Sequence, residues 1–247
     1  MEHSAVGRLG TGYHPAEYGD DCAEFYDEIY RRPSKQMIAA LAALAGGGPV
    51  LELGIATGRV AIQLARLGLA VTGVEISSAM LRVLLGKELP ALMKVVAGDF
   101  TTVVLPGSFP LVICIHSTML LLPRRSQRKC FANVARHLSP SGTFVLEAAS
   151  GPPDLVKPAP RRRGITRCSL VETNFGARRY RVTQYYTPAE ELDAMATDAG
   201  LALAERWSDW RRRPLAGRSS SHVSLYVRAD ASSVPRRVAS RLTLTPL

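Results

Sequence analysis

VLELGIATGRVA, running from Val50 to Ala61, is the stretch on which the fold turns. An apolar run carries an acid, Glu52, and closes at Leu53. Small residues then stand at alternate positions, Gly54, Ala56 and Gly58, before RVAIQLARLG takes up helical periodicity. Glycine has no Cβ, so its backbone reaches unusual φ values and lets another group come into contact. The helix that follows presents unpaired N–H groups at the same place. The stretch therefore reads as a strand-to-helix turn shaped for a ligand that approaches the main chain closely.

The neighbouring segments repeat the alternation. LAVTGVEI reads as a second strand and SSAMLRVLLGKE as a helix capped by Ser77 or Ser78. LMKVVAGDF and LVICIHS read as the third and fourth strands. SQRKCFANVARHLSPSG reads as a helix ended by Pro140 and Gly142, and TFVLEAA as the fifth strand. Upstream, AEFYDEIYRR reads as a short helix. SKQMIAALAALAGGGP reads as another, capped by Ser34 and stopped by Gly46 to Pro49. Strand and helix in alternation predict a parallel sheet covered on both faces.

The pattern changes near Gly151. GPPDLVKPAPRRRG is an irregular connection. ITRCSLVETNFGARRYRVTQYY predicts a hairpin turning around Asn174 to Gly176. TPAEELDAMATDAG predicts a helix with Thr187 as cap and Pro188 at its first position, and LALAERWSDW and SHVSLYVRA predict two last strands. The expected organisation is a flexible arm over 1–22, a cofactor-binding core over 23–150, a connection and hairpin capping the substrate over 151–187, the remainder of the core sheet over 188–229, and a disordered tail over 230–247.

Among the 247 residues, 47% are hydrophobic and 21% charged, which suits a soluble chain with a sizeable core. No run of about eighteen apolar residues predicts a membrane span, and the N-terminus lacks an apolar signal segment. The four scattered cysteines form no CxxC pair, so reduced thiols in a cytoplasm are the expectation. No metal site is expected, because histidines and acids do not cluster at ligand spacing. The net charge of +10 lies mostly in arginine runs of the C-terminal half, with no RNA-binding signature beside them, so nucleic acid is not the expected partner.

In an open parallel sheet, ligands bind beyond the carboxyl ends of the strands where the strand order reverses. Glu75 ends the second strand there, where a carboxylate can accept two hydrogen bonds from a ribose diol. An adenosine-type cofactor follows. A dinucleotide fingerprint fails, since Arg59 stands where its last glycine belongs and Ala56 also departs.

Glu52, Gly54, Ala56 and Gly58 instead fit acid-x-G-x-G-x-G with one substitution, and this resembles motif I of the class I S-adenosylmethionine-dependent methyltransferases. GVEISSAML, AGDF, SFPLVICIHSTMLLL and FANVARHLSPSGTFVLEA resemble later motifs of that family, over roughly Ala23 to Ala229. The resemblance implies a Rossmann-like, doubly wound, mostly parallel seven-stranded α/β sheet with helices on both faces and a β-hairpin insertion after the fifth strand. It implies S-adenosyl-L-methionine as cofactor, held by Tyr26, Glu52, Gly54, Ala56, Gly58, Glu75, Ile76, Met80, Gly98, Asp99, Phe100 and Ile115. Three departures stand out: Ala56 for the middle glycine, Pro110 where an acid is frequent, and Ser141 within PGG.

Methyl transfer to an O, N or C atom of a small molecule, a specialised metabolite, is the activity implied. His116, at the end of the fourth strand, is the candidate base, with an ordinary pKa suited to the task. Tyr13, Tyr30, Arg179 and Tyr186, with His116, are the candidate substrate contacts. Trp207, Trp210 and His222 read as core, and His137 as a helix-end residue favoured by the dipole. Three alternatives stand beside this reading: an RNA or protein methyltransferase using the basic half, a cyclisation or rearrangement with bound sulfonium, and a nicotinamide oxidoreductase. A monomer and a homodimer both remain open.

Overall fold

A computed structural model of the chain describes residues 16–30, 32–150, 167–175, 178–215 and 219–229. At its amino end lie α1 (Glu17–Cys22), a 3₁₀ turn (Ala23–Phe25), α2 (Tyr26–Ile29) and α3 (Lys35–Ala45). Then come β1 (Val50–Leu53), α4 (Ala61–Arg66), β2 (Val71–Glu75), α5 (Ser78–Leu85), β3 (Met93–Ala97) and β4 (Phe109–Cys114). A 3₁₀ turn (Thr118–Leu121) leads to α6 (Arg124–His137) and β5 (Leu138–Ala149). The hairpin is β6 (Arg167–Phe175) and β7 (Arg178–Tyr186), and α7 (Ala189–Asp198), β8 (Leu201–Trp207) and β9 (Ser221–Arg228) complete the order.

The main sheet has seven strands in the order β3-β2-β1-β4-β5-β9-β8, and β6 and β7 pair separately. β1 lies parallel between β2 and β4. Chain order therefore reverses between β1 and β4, and the crevice of the fold opens at their carboxyl ends. β1 is buried along its whole length, as a central parallel strand covered on both faces must be. One apolar layer sets Leu41, Leu44 and Leu64 against Val50 and Ile113; the other sets Phe131, Val134 and Met195 against Leu51, Phe144 and Tyr226. Each fully buried leucine contributes about 1.5–3 kcal/mol.

The caps follow the sequence in part. Ser34 Oγ accepts from Met37 N–H, Ser77 Oγ accepts from Met80 N–H, and Gly46 closes α3 in the left-handed region. Elsewhere local signals are overridden. α6 stops at His137, and residues 138–142 belong to β5 rather than to a helix end. The reason is a register shift: Phe109 pairs with Leu138 but Leu111 pairs with Thr143, so Ser139 to Gly142 form an irregularity that accommodates Pro140. Thr187 is not a helix cap. Pro188 is, and the Thr187 hydroxyl instead donates to Gln127 Oε1 at 2.8 Å inside the protein. Residues 17–22, expected within the arm, are helical. The first fifteen residues, the connection 151–166 and the tail 230–247 lie outside the described residues.

Candidate functional site

The turn after β1 is held open from β2. Glu75 Oε2 accepts the Ala56 N–H at 2.8 Å, and Oε1 accepts those of Ile76 at 3.0 Å and Ser77 at 2.9 Å. A carboxylate offers about four acceptor positions, so Glu75 keeps capacity for a further donor. Burial raises its pKa, against the opposing pull of those three amides. Gly54, Ala56 and Gly58 all take positive φ, at 73°, 49° and 82°. A Cβ on Gly54 would meet Thr118 Cγ2 at 2.6 Å, and one on Gly58 would meet Leu84 Cδ1 at 2.5 Å. Glu52 lies behind the turn, 4% exposed, where burial lifts its carboxyl to about 8 against the Arg59 charge. Gly73, which drew no notice in the sequence, lets Ile55 pack onto β2: a Cβ there would sit 2.1 Å from Ile55 Cδ1.

A cavity open to solvent lies above this turn. Of the residues assigned to the cofactor from sequence, Tyr26, Gly54, Ala56, Glu75, Ile76, Met80, Asp99 and Phe100 line it. Glu52, Gly58, Gly98 and Ile115 are not among its lining. Tyr18, Gly19, Thr118, Leu121 and Leu122 are, and none of them is among the cofactor candidates read from the sequence. Gly19 carried no signal, since EYGDDC shows no helical period. Its Cβ would collide with Ser77 Cβ at 2.6 Å, so α1 presses on α5 there. Thr118 carried none, since its place depends on the fourth strand ending early.

The amino-terminal helices cover the cavity and are tied at both ends. Ser77 Oγ donates to Asp20 Oδ1 at 2.6 Å. Asp27 accepts from Thr57 Oγ1 at 2.6 Å and from Lys87 Nζ at 2.5 Å. Tyr26 and Tyr30 share a face, their ring centroids 4.6 Å apart, and the Tyr18 and Tyr30 hydroxyls meet at 2.7 Å. The Arg59 guanidinium stands 5.7 Å from the Tyr30 ring centroid. Val182 of β7 packs with Cys22, Phe25 and Met80, so the hairpin closes against this cover.

His116 sits beyond the end of β4, with φ 54°, and its side chain is 31% exposed. Its ring Nδ1 lies 3.9 Å from Glu147 Oε2, beyond hydrogen-bond reach. Burial, then the Arg59 charge, lowers its pKa to about 4. The ring is therefore neutral at neutral pH, and the contact is no ion pair. Tyr186 is 6% exposed, packed with Leu120 and Ala148, and its hydroxyl donates to Gln184. Arg179 stands in β7, but its side chain, like Tyr13, lies outside the described residues. His137 is no simple dipole partner: Nε2 accepts the Leu105 N–H at 2.9 Å and Nδ1 lies 2.8 Å from the Asn133 carbonyl. Trp207 is buried, as expected, while Trp210 donates to Glu147 Oε1 at 2.7 Å. Among the described residues no group of histidines, cysteines and acids is arranged to hold a metal.

The whole arrangement has solved counterparts. The CcbJ methyltransferase from Streptomyces caelestis is 31% identical to this chain, covers 88% of it, is itself covered in full, and superposes with a TM-score of 0.73. The chain belongs to the S-adenosylmethionine-dependent methyltransferases. Residues 50–142 of this methyltransferase match the family described as "Methyltransferase domain". A cypemycin N-terminal methyltransferase from a Streptomyces species is 28% identical over 138 residues. That match takes in 54% of this chain and 56% of the relative, so the chain spans little more than half of that relative's length. The glycopeptide N-methyltransferase MtfA, solved with S-adenosyl-L-methionine, shares the fold at 21% identity, covering 83% of this chain and 90% of its own, with a TM-score of 0.63.

Proposed function

We propose that the chain transfers a methyl group from S-adenosyl-L-methionine to a small molecule, a specialised metabolite, with an amine nitrogen as acceptor. The observation that carries the reading is Glu75, a buried carboxylate already gripping the Ala56 amide while it lines the cavity. When bound, the cofactor supplies an electrophilic methyl group on a positively charged sulfur; the protein supplies orientation and a water-poor site. Glu75 fastens the ribose diol. Met80, Asp99 and Phe100 receive the base. Gly54 and Ala56 give the main chain its close approach.

Nitrogen is favoured on chemical grounds. An oxygen or carbon acid needs a competent proton acceptor, whereas a neutral amine does not. His116, held near pKa 4, is a weak base. One of the similar proteins is named a glycopeptide N-methyltransferase, and another an N-terminal methyltransferase. A small-molecule acceptor fits the surface as well. Arg206, Arg212 and Arg213 of the basic half are paired with Asp193, Glu205 and Asp209. Cys22, Cys114 and Cys130 are buried and free, in keeping with a cytoplasmic setting.

The test is a screen of amine and hydroxyl acceptors with S-adenosylmethionine, read by mass spectrometry. A gain of one methylene on an amine, with release of the demethylated cofactor, is the expected result. Methylation confined to oxygen, or product formed without cofactor turnover, contradicts it.

A further inference from the structure

Glu147, near the carboxyl end of β5, is not among the residues that line the cavity. It holds the His116–Ser117 main chain, which is not in the lining either but leads directly into Thr118, which is. His116 and Ser117 both take left-handed φ, 54° and 60°. For residues with a Cβ this conformation costs about 1–2 kcal/mol each, and it persists only where surroundings over-determine it. Glu147 provides that determination twice. Its Oε2 accepts the His116 N–H at 2.9 Å, and its backbone carbonyl accepts the Ser117 N–H at 3.0 Å. The carboxylate is fixed from its other side by Trp210 Nε1 at 2.7 Å. Ser117 Oγ in turn accepts the Ala149 N–H at 3.0 Å, so β5 grips the turn along its end.

The turn has a job to hold still for. It sets the direction of the His116 ring and delivers Thr118, whose methyl occupies the space a Cβ on Gly54 would need. Thr118 is further tied to the Ile115 carbonyl at 2.8 Å. The titratable groups facing Glu147 are the Arg59 cation, from the turn after β1, and the neutral His116 ring. Glu147 thus links the His116–Ser117 turn to the loop after β8 through one carboxylate.

We infer that Glu147 is a positioning residue for methyl transfer, fixing the left-handed His116–Ser117 turn that places Thr118 at the wall of the site. The inference rests on the function proposed above. Three measurements on the full chain test it: amide exchange at His116, cofactor Kd by calorimetry, and kcat. Glu147→Ala is expected to speed His116 exchange at least about tenfold and lower kcat about 100-fold, with cofactor Kd within about threefold. Glu147→Gln, which can still accept the His116 N–H, falls between and serves if the alanine variant does not fold. Unchanged exchange or unchanged kcat overturns the inference. So does equal loss of kcat and cofactor affinity, which would mark a general collapse of the pocket. Should the wild type bind no S-adenosylmethionine, the proposed function fails; His116 exchange in Glu147→Gln still decides whether this carboxylate holds the turn.

Discussion

Glu75 Oε2 and the Ala56 N–H, nineteen residues apart in sequence, meet at 2.8 Å and join the ends of β2 and β1. The carboxylate therefore shapes the turn before any ligand arrives, and it lines the cavity as well. Glu75→Ala is expected to weaken S-adenosylmethionine binding by at least about 100-fold, since two charge-assisted bonds of about 1.5–3 kcal/mol are lost. It also strands three amides and so lowers the urea midpoint. Glu75→Gln keeps part of both. Full affinity in the alanine variant would remove Glu75 from the site.

Gly54 and Ala56 respond oppositely to a methyl group. Gly54→Ala places a Cβ 2.6 Å from Thr118 Cγ2 at a φ of 73°, so both stability and cofactor affinity fall. Ala56→Gly relieves a left-handed alanine at φ 49° and is expected to raise stability by up to about 1 kcal/mol with binding retained. Chemical denaturation and calorimetry on the pair check the contrast. A destabilised Ala56→Gly would show that the alanine methyl is packed to advantage.

Glu52 gives a pH signature. Its carboxyl is raised from an ordinary 4.5 to about 8, with burial the largest cause. The folded state thus binds the proton more tightly than the unfolded chain. The associated stability is complete below pH 4.5 and is lost as pH rises toward about 8. Glu52→Gln removes this dependence. The difference in unfolding free energy, wild type minus variant, is expected to decline across that window. A flat difference would mean that Glu52 titrates normally.

His116 yields a rate profile. Only its neutral ring can accept a proton, and with a pKa near 4 the ring is neutral above about pH 5. The kcat/KM profile should show no inflection near the ordinary histidine value that disappears in His116→Ala. The alanine variant is expected to lose about tenfold to 100-fold in turnover with cofactor affinity unchanged. An inflection near neutrality that vanishes in the variant would restore His116 as an ordinary base.

What was legible in the sequence is what local chemistry controls. Small residues between a strand and a helix, an acid at the next strand end, and Ser34 and Ser77 as caps can each be read from a few neighbours. Long-range determinants were not. α1 hides because EYGDDC lacks an apolar period, and its burial comes from α5 and β7. The sequence pattern runs the fourth strand to Ser117, yet β4 stops at Cys114 and the left-handed His116–Ser117 turn leads to the cavity wall at Thr118. That turn is held by Glu147, itself held by Trp210 sixty-three residues away. Pro140 looked like a helix stop, whereas pairing of Leu138 with Phe109 had already begun the strand.

The central claim is that the cavity behind β1 and β2 takes a sulfonium nucleoside with Glu75 on its sugar. Isothermal calorimetry of the folded chain with S-adenosylmethionine and S-adenosylhomocysteine tests it most directly. Saturable heat at one ligand per chain, abolished or strongly weakened in Glu75→Ala, is the result predicted. No heat with either compound, from protein whose fold is verified by circular dichroism, would contradict it.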